Sequence, residues 1–427
     1  MIVRFSLGNF LSYREVQSIS FEASVLKDSN EAVFTPHHAD TSRLLKSISI
    51  YGSNASGKTN LLKGFNFFKY WIHNSFGEAN RRLEIPLDPY RLRKDSDQRQ
   101  SFFEVIFYVK DIKYKYGCNL TKEAVTEEWL FYSEPKKREQ HYFIRIGQEI
   151  RYNSAWRRAL SVKIEPIIPY VKPRVLFISV LSQFNIEIGN VVVDWFHRNM
   201  IAFDLSNEYF INKTASLLHD KEYFIAVHHL INQAHLGFKS VESKIIGQYS
   251  GNGQLTSEFV AFALSDQVND FQIQTNHDVY DEKGNIVGQT YFDLKQQESA
   301  GTQKFFALIG ALLTAIKNNH ILWIDELDSK FHPLLFETII KFFNSNKFNH
   351  KGAQMIFTTH STQLLKEITL RRDQIFTMNK EHTGESTIQS IHTFSSRTDI
   401  SHERQYFSGK YGGIQKIDLD DLQLDLF

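Results

Sequence analysis

One eight-residue loop constrains the fold of this chain more than any other feature. Residues 52–59 read GSNASGKT and match the phosphate-loop pattern G-x-x-x-x-G-K-[ST] at every fixed position. The apolar run SISIY comes directly before the loop, and apolar residues at spacings of three and four follow it. A strand that enters such a loop and leaves it as a helix directs backbone N–H groups and the positive helix end at an anion. The sequence therefore predicts a nucleotide-phosphate site in an α/β fold.

The positions of the loop have separate predicted roles. Lys58 would reach the β- and γ-phosphates, and the Thr59 hydroxyl would complete the coordination of Mg²⁺. A chance match in a chain of this length is expected on the order of 0.01 times from average residue usage. The residues that we predict to bind the nucleotide here are Gly52, Ser53, Asn54, Ala55, Ser56, Gly57, Lys58, Thr59 and Asn60.

A second informative stretch is ILWIDE at residues 321–326, in which four apolar residues precede two carboxylates. We expect a buried strand that delivers Asp325 to the magnesium ion beside the loop. Glu326 would then orient or deprotonate the attacking water, a role worth roughly 10²–10⁴ in rate. An Asp-Glu pair alone is more often a solvated strand end, but after a phosphate loop the catalytic interpretation is favoured.

A serine–glycine turn, ESAGTQ at residues 298–303, precedes a long apolar helix. Ser299 can cap this helix, and Gly301 allows close backbone approach at its positive end. Without the acid strand, a simple helix cap would be the better interpretation. The residues of this second candidate anion site are Ser299, Gly301, Thr302 and Gln303.

A histidine follows the next apolar run, FTTHS at residues 357–361. A lone histidine is usually structural. His360, however, lies at a predicted strand end, where its ring could hydrogen-bond a γ-phosphate.

These elements, in this order and spacing, resemble ABC-type ATPases, and within them the branch that contains the SMC, RecF and OLD proteins. SAGTQ stands where transporters have LSGGQ, FHP at 331–333 resembles the LHP-like turn of the branch, and FSLGNFLSYRE resembles its first hairpin. A narrower likeness, which spans most of the chain, is to bacterial ATP-binding ATPases of abortive-infection and restriction-linked loci. It is carried by PYRLRKD, EEWLFY and GKYGGIQKI among other stretches.

The resemblance implies an active site shared between copies. ATP would lie between the phosphate loop of one copy and the serine–glycine turn of another, with Mg²⁺ held by Thr59 and Asp325. Glu326, Lys58 and His360 would be the catalytic residues, and hydrolysis would release the pair. The implied assembly is a homo-oligomer, a dimer or higher, that controls a separately encoded effector (a nuclease or a toxin) in anti-phage defence.

Changes in periodicity predict the organisation of the chain. Alternating helices and strands after residue 299 indicate a mostly parallel sheet, and period-two runs from about residue 100 to 152 indicate antiparallel strands. The predicted fold class is α/β, an ABC-ATPase head with a mixed or parallel sheet, an antiparallel β subdomain and an inserted helical region. The predicted parts are 1–79 with the phosphate loop, 80–153 as the β subdomain, 154–270 as the helical insertion, and 271–427 as the rest of the head with a short acidic tail.

Composition limits the compartment and the partners. The chain has 49 basic and 48 acidic residues, so binding of nucleic acid through global charge is disfavoured. Local basic pairs such as Arg157-Arg158 and Arg371-Arg372 leave direct DNA binding open. A single cysteine predicts a reducing compartment. Because no signal peptide or apolar run of membrane length is present, we expect a cytoplasmic protein with no membrane partner.

Three alternatives remain open at this stage. A self-contained OLD-type nuclease needs a further metal-dependent domain, for which the residues after His360 are too few. A RecF- or SMC-like repair ATPase would bind DNA, whereas a scaffold that uses ATP only as a switch would bind the nucleotide without hydrolysing it.

Overall fold

The computed structural model describes residues 1–26, 31–36, 43–78, 83–160, 163–249, 268–366, 369–394 and 401–414. The predicted acidic tail and the predicted boundary between the first two parts lie outside these residues. None of the described helices is both long and apolar enough to cross a membrane.

The described residues form strands, α-helices and short 3₁₀ helices in the following order. The strands are β1 (Ile2–Gly8), β2 (Gln17–Ser20), β3 (Val33–Phe34), β4 (Leu44–Leu45), β5 (Ser47–Gly52), β6 (Ser101–Val109), β7 (Ile112–Leu120), β8 (Val125–Ser133), β9 (Gln140–Ile146), β10 (Glu149–Tyr152), β11 (Asn199–Ala202), β12 (Ser240–Gln248), β13 (Asn269–Tyr280), β14 (Ile286–Asp293), β15 (Ile321–Ile324), β16 (Gln354–Thr358), β17 (Ile375–Lys380) and β18 (Ser386–Ser390). The α-helices are α1 (Lys58–Glu78), α2 (Ser154–Ala159), α3 (Phe177–Gln183), α4 (Glu187–His197), α5 (Glu208–Leu217), α6 (Lys221–Gln233), α7 (Ala300–Asn318), α8 (Pro333–Asn344), α9 (Gln363–Lys366) and α10 (His402–Phe407). The 3₁₀ helices are Ser96–Gln98, Ile168–Tyr170, Arg372–Gln374 and Ile391–Thr393.

The central sheet carries both the phosphate loop and the acid strand. Its order is β11-β15-β16-β5-β17-β18, in which only β18 runs antiparallel to its neighbour. Parallel strands end at a common edge, so the loops after β5, β15 and β16 lie side by side. The sheet joins strands from both ends of the chain and confirms the predicted α/β class with a mixed sheet.

A second, fully antiparallel sheet has the order β10-β9-β8-β7-β6-β1-β2. Helix α1 lies between this sheet and the central one, and its aromatic side chains fill the space. Phe65 stacks on Trp323 of β15 with 4.1 Å between ring centroids and contacts Phe5 of β1 edge-on at 5.2 Å. Many of the chain's phenylalanines thus belong to the core that positions the phosphate loop.

Helices and a small sheet cover the opposite face of the central sheet. Helices α5, α6, α7 and α8 share a second apolar core with the strands of the central sheet. The three-stranded antiparallel sheet β12-β13-β14 packs on α5 and α6 and leads directly into the serine–glycine turn before α7.

The region 154–270, predicted as helical, also contains strands. Within this region, the stretch VVVDWFHRNMIAF is helical only at its start, since α4 ends at His197 and Asn199–Ala202 forms β11, which pairs in parallel with β15. An apolar run of four residues is too short for its periodicity to distinguish a strand from a helix. Pairing with the acid strand decides the outcome, so the central sheet takes an edge strand from this region. The division into four parts stays a prediction.

Candidate nucleotide-binding site

The phosphate loop needs its two fixed glycines. A Cβ atom on Gly52 would lie 2.5 Å from the Ser56 hydroxyl, which is closer than any real Cβ contact. Gly57 has a φ of 105°, which favours glycine because it has no Cβ. Asn54 and Ala55 are exposed at the tip of the loop. The loop therefore curls as the motif predicts, between β5 and the first turn of α1.

Lys58 lies over this loop. Its ammonium donates to the carbonyl oxygens of Gly52 at 2.7 Å and Ser53 at 3.0 Å. Burial lowers the pKa of Lys58 from its ordinary value, and the negative charge of Asp325 is the largest of those that oppose this shift. A phosphate oxygen bound in the loop would compete with the two carbonyl groups for the ammonium.

Thr59 and Asp325, the predicted magnesium ligands, are in contact. The Thr59 hydroxyl donates to Asp325 Oδ2 at 2.6 Å, and the Thr358 hydroxyl donates to Oδ1 at 2.6 Å. In the described part of the chain, no three His, Cys, Asp or Glu side chains group together as a metal cage. Mg²⁺ fits such a site because it is commonly bound by one or two carboxylates, waters and substrate phosphates.

Glu326 is exposed next to this pair and has a constrained backbone. Its φ is 45°, in the left-handed region that costs a residue with a Cβ about 1–2 kcal/mol. Its N–H donates to Thr358 Oγ1 at 2.8 Å, and its carbonyl oxygen accepts from Lys304 Nζ at 2.7 Å. Thr358 therefore links the Asp325 carboxylate to the backbone N–H of Glu326, and Lys304 holds the Glu326 backbone through its carbonyl oxygen.

His360 is also exposed at this edge of the sheet, after β16. Its N–H donates to the carboxylate of Asp328, at 3.3 Å to Oδ1 and 3.2 Å to Oδ2. Asp328 thereby joins the loop after β15 to the loop after β16, and it holds the backbone of His360 in place.

The serine–glycine turn forms a capped helix start. Ser299 Oγ accepts from the N–H of Thr302 at 3.1 Å, as the sequence predicts. A Cβ atom on Gly301 would lie 2.8 Å from the carbonyl oxygen of Lys330, so the close backbone approach requires glycine. Gln303 donates back to the Glu298 carbonyl oxygen at 3.0 Å.

The predicted site residues fall into two groups. The phosphate loop, the acid strand and the loop of His360 meet at one edge of the central sheet. Across the described ranges, no hydrogen bond joins the residues of the serine–glycine turn to the phosphate loop. The roles assigned to all these residues stay predictions.

Lys304 is the site residue that sequence reasoning missed most clearly. It is buried in the first turns of α7, and its ammonium donates to the carbonyl oxygens of Glu326 at 2.7 Å, Leu327 at 3.3 Å and Ser329 at 3.0 Å, and to the Ser329 hydroxyl at 2.6 Å. Burial lowers its pKa to about 8. The available signal was a lysine in an otherwise apolar stretch, directly after the serine–glycine turn.

The first hairpin of the chain braces the phosphate loop. The Tyr13 hydroxyl donates to the Gly57 carbonyl oxygen at 2.9 Å, and the Asn60 amide donates to Ser12 Oγ at 2.9 Å. The hydroxyl of Ser386, the first residue of β18, donates to the Ser56 carbonyl oxygen at 2.6 Å. Asn60, predicted from its place beside the motif, therefore ties α1 to this hairpin.

The described part of the GKYGGIQKI stretch packs against the other end of the loop. A Cβ atom on Gly413 would lie 3.4 Å from Gly52 Cα. Ser53 lines a cavity of about 290 Å³ together with Gly413 and Ile414. The C-terminal stretch that helped to carry the family resemblance thus contacts the phosphate loop.

Sequence comparison identifies one family for most of the chain. The family model described as "AAA domain, putative AbiEii toxin, Type IV TA system" matches residues 47–366, a range that includes the phosphate loop, the acid strand and His360. No curated protein is significantly similar in sequence.

Comparison of folds finds solved structures at low sequence identity. The recombination mediator protein RecF bound to ATPrS matches with a TM-score of 0.31 and 13% identity, over 91% of this chain and 98% of that chain. RecF bound to ATP matches with a TM-score of 0.32 and 14% identity, over 91% of this chain and 97% of that chain. The Smc head domain from Pyrococcus yayanosii matches with a TM-score of 0.39 and 10% identity, over 96% of this chain and 99% of that chain.

Proposed function

This chain belongs to the family of AAA domains described as putative AbiEii toxin of type IV TA systems, and we propose that it is an ABC-type ATPase that binds ATP with Mg²⁺ and hydrolyses it to ADP and phosphate. One observation carries the proposal. The Thr59 hydroxyl lies 2.6 Å from Asp325 Oδ2, with Glu326 as the next residue of the chain. The phosphate loop, the Thr59–Asp325 pair that would hold Mg²⁺ and the exposed Glu326 therefore lie at one edge of the sheet.

In the proposed reaction, the oxygen of a water molecule attacks the γ-phosphorus while the bond to the bridging oxygen breaks. The Glu326 carboxylate takes the proton of the water, and ADP and inorganic phosphate leave. Mg²⁺, when bound, neutralises charge on the β- and γ-phosphate oxygens. Lys58 would bind the same oxygens, and His360 would donate a hydrogen bond to the γ-phosphate. Thr358 and Lys304 are positioning residues, since they fix the backbone of Glu326.

The serine–glycine turn supports a role for a second copy. Ser299 Oγ accepts from the Thr302 N–H, whereas the N–H groups of Ala300 and Gly301 make no hydrogen bond among the described residues and lie at a positive helix end, where anions bind. This turn makes no hydrogen bond to the phosphate loop of its own chain among the described residues. We therefore expect the turn of one copy to contact the ATP of another, so that ATP binding joins two copies and hydrolysis releases them.

The biological role that we propose is regulation of a separate effector. The description of the family names a putative toxin of a toxin–antitoxin system, which supports a place in anti-phage defence. In this proposal, the chain is a cytoplasmic sensor or regulatory subunit whose ATP-dependent oligomerisation holds or releases a nuclease or toxin encoded by another gene.

The first test is ATP turnover by the full chain with three variants. Lys58→Ala and Glu326→Gln should each abolish phosphate release, because one loses phosphate binding and the other loses the base. Glu242→Gln, an exposed position on β12, is the matched control and should retain turnover. Unchanged hydrolysis in both site variants would refute the assignment.

The second test separates hydrolysis from assembly. Glu326→Gln with ATP and Mg²⁺ should trap a larger species than the same variant without nucleotide, as measured by sedimentation. If no nucleotide-dependent increase occurs, the shared-site proposal fails although the ATPase proposal stands. ATP binding and assembly without hydrolysis in the unmodified chain would instead identify the scaffold.

The third test addresses DNA. A DNA-binding repair ATPase should bind duplex DNA at low salt and lose affinity steeply as salt is added. Absence of binding at low salt would remove that alternative.

A further inference from the structure

Glu298, the residue before Ser299, is anchored to the central strand of the three-stranded sheet. Its Oε1 accepts from the Thr275 hydroxyl at 2.6 Å and lies 2.8 Å from His277 Nε2. Because an ionised carboxylate has no proton to donate, the His277 ring is the donor in the second contact. Two donors of β13 therefore converge on one oxygen of a side chain that is only 10% exposed.

Packing on β13 fixes both donors. Thr275 is fully buried, and the His277 ring contacts two phenylalanine rings, with centroids 5.7 Å from Phe238 and 4.4 Å from Phe292. The Thr275 hydroxyl also lies 3.0 Å from His277 Nε2, so the three polar side chains form a closed triangle. A largely buried and hydrogen-bonded cluster of this kind favours one arrangement of its side chains.

The chain between this sheet and the turn is short and is attached along its length. Strand β14 ends at Asp293, and residues 294–298 lead directly to the serine that caps α7. The Leu294 N–H and the Lys295 ammonium each bond to a residue of β13 at 2.9 Å. Glu298 is the attachment nearest to the cap. Loss of its carboxylate would therefore release the turn while the earlier part of the link stays bonded to the sheet.

We propose that Glu298 is a positioning residue that sets the serine–glycine turn of one copy against the ATP of another. The inference rests on the proposed shared active site, in which the N–H groups of Ala300 and Gly301 face that ATP. These groups follow Glu298 within three residues, so a shift of its backbone displaces them directly. Among the described residues, Glu298 makes no hydrogen bond to the phosphate loop of its own chain. Its effect on ATP would therefore be exerted across the interface between copies.

The first measurements are single-turnover hydrolysis and ATP affinity for three variants of the full chain. Glu298→Ala should lower the rate of hydrolysis about 100-fold, the loss expected for a displacement of about 1 Å, and leave the Kd for ATP of the dilute chain within about twofold. Glu298→Gln keeps an acceptor oxygen for both donors and should restore most of the turnover. Glu242→Ala, at an exposed position on β12 of the same sheet, is the control and should hydrolyse ATP normally.

A mixture of two inactive variants separates a role across copies from a structural role. Glu298→Ala retains its phosphate loop and Lys58→Ala retains its turn, so a mixed pair contains one intact shared site. Equal amounts should recover up to about a quarter of the unmodified turnover, because half of the pairs are mixed and one of their two sites is intact. Thr275→Val removes one of the two donors and should show the same recovery after a smaller loss.

A second mixture distinguishes failure of this inference from failure of the shared site. Gly301→Asp disrupts the turn directly, because a Cβ atom there would lie 2.8 Å from the Lys330 carbonyl oxygen, and Lys58→Ala should restore its turnover too. Recovery with Gly301→Asp but not with Glu298→Ala would overturn the role of Glu298 and leave the shared site standing. Recovery with neither would refute the shared site and this inference with it.

The single variants can also overturn the inference. Circular dichroism verifies that each variant is folded. Normal turnover by folded Glu298→Ala, or equal losses of ATP affinity and turnover in that variant, would contradict a positioning role for Glu298.

Discussion

Removal of the Lys304 ammonium should uncouple ATP binding from hydrolysis. Lys304 lies in α7, just after the serine–glycine turn, and donates to the loop that follows the acid strand. Two residues of that loop, Glu326 and Lys330, have left-handed backbones with φ of 45° and 67°. Such conformations persist only where the surroundings hold them. Lys304→Met keeps the length of the side chain and removes every one of these hydrogen bonds.

The size of the effect follows from the bonds that are lost. A hydrogen bond to a charged group contributes about 1.5–3 kcal/mol. One ammonium makes all of these bonds at the expense of its own desolvation, so we expect the free energy of unfolding to fall by about 2–4 kcal/mol. When its carbonyl oxygen is released, Glu326 can move, and a displacement of about 1 Å at a catalytic group lowers the rate about 100-fold.

The assay compares single-turnover hydrolysis with nucleotide affinity. Lys304→Met should lower the rate of hydrolysis about 100-fold and leave the dissociation constant of ATP within about twofold, because Lys304 does not contact the phosphate loop. Lys317→Met, on the exposed last turn of the same helix, is the control. A folded Lys304→Met protein with near-normal turnover would refute the argument. Equal losses in binding and turnover would indicate a general structural role instead.

Two further predictions concern stability. Glu128 is fully buried, and its carboxylate accepts hydrogen bonds from two N–H groups at the start of α3 and from a tyrosine hydroxyl. The same carboxylate lies 3.6 Å from the guanidinium of Arg145. Glu128→Ala should therefore lower the free energy of unfolding in urea by about 3–5 kcal/mol, and Glu127→Ala, at a partly exposed neighbour, by much less. The pKa of His320 is lowered to about 4, first by burial and then by the positive charge of Arg198. Because the unfolded chain binds this proton at an ordinary pKa of 6.5, stability should fall as the pH drops from about 6.5 towards 4. His320→Gln should flatten that dependence, and an unchanged slope would contradict the assignment.

Features that depend on local chemistry could be predicted from the sequence. The phosphate loop requires Gly52 and Gly57 at fixed spacing. In the run ILWIDE, the four apolar residues predict a buried strand, and the two carboxylates predict its polar end. The period-two runs between residues 100 and 152 likewise predicted antiparallel strands. Each of these signals lies within about ten residues of chain, so no knowledge of distant partners was needed.

Features that depend on distant partners could not be predicted. Strand β11 is defined by its pairing with β15. Its run of four residues is too short for the alternation of apolar and polar residues to identify a strand. Thr358 and Asp328 acquire importance only because the loops after β15 and β16 lie side by side. Lys304 stands out in the sequence as a lysine in an apolar stretch, but only the loop that it contacts reveals its role as a positioning residue.

The serine–glycine turn is connected to two separate parts of the molecule. On one side, Lys304 ties the start of α7 to the backbone of Glu326 at 2.7 Å. On the other side, Glu298 accepts from the Thr275 hydroxyl at 2.6 Å and lies 2.8 Å from His277 Nε2, and both of these residues belong to β13. A displacement of β13 would therefore act on the turn, and a displacement of the turn would act on Glu326.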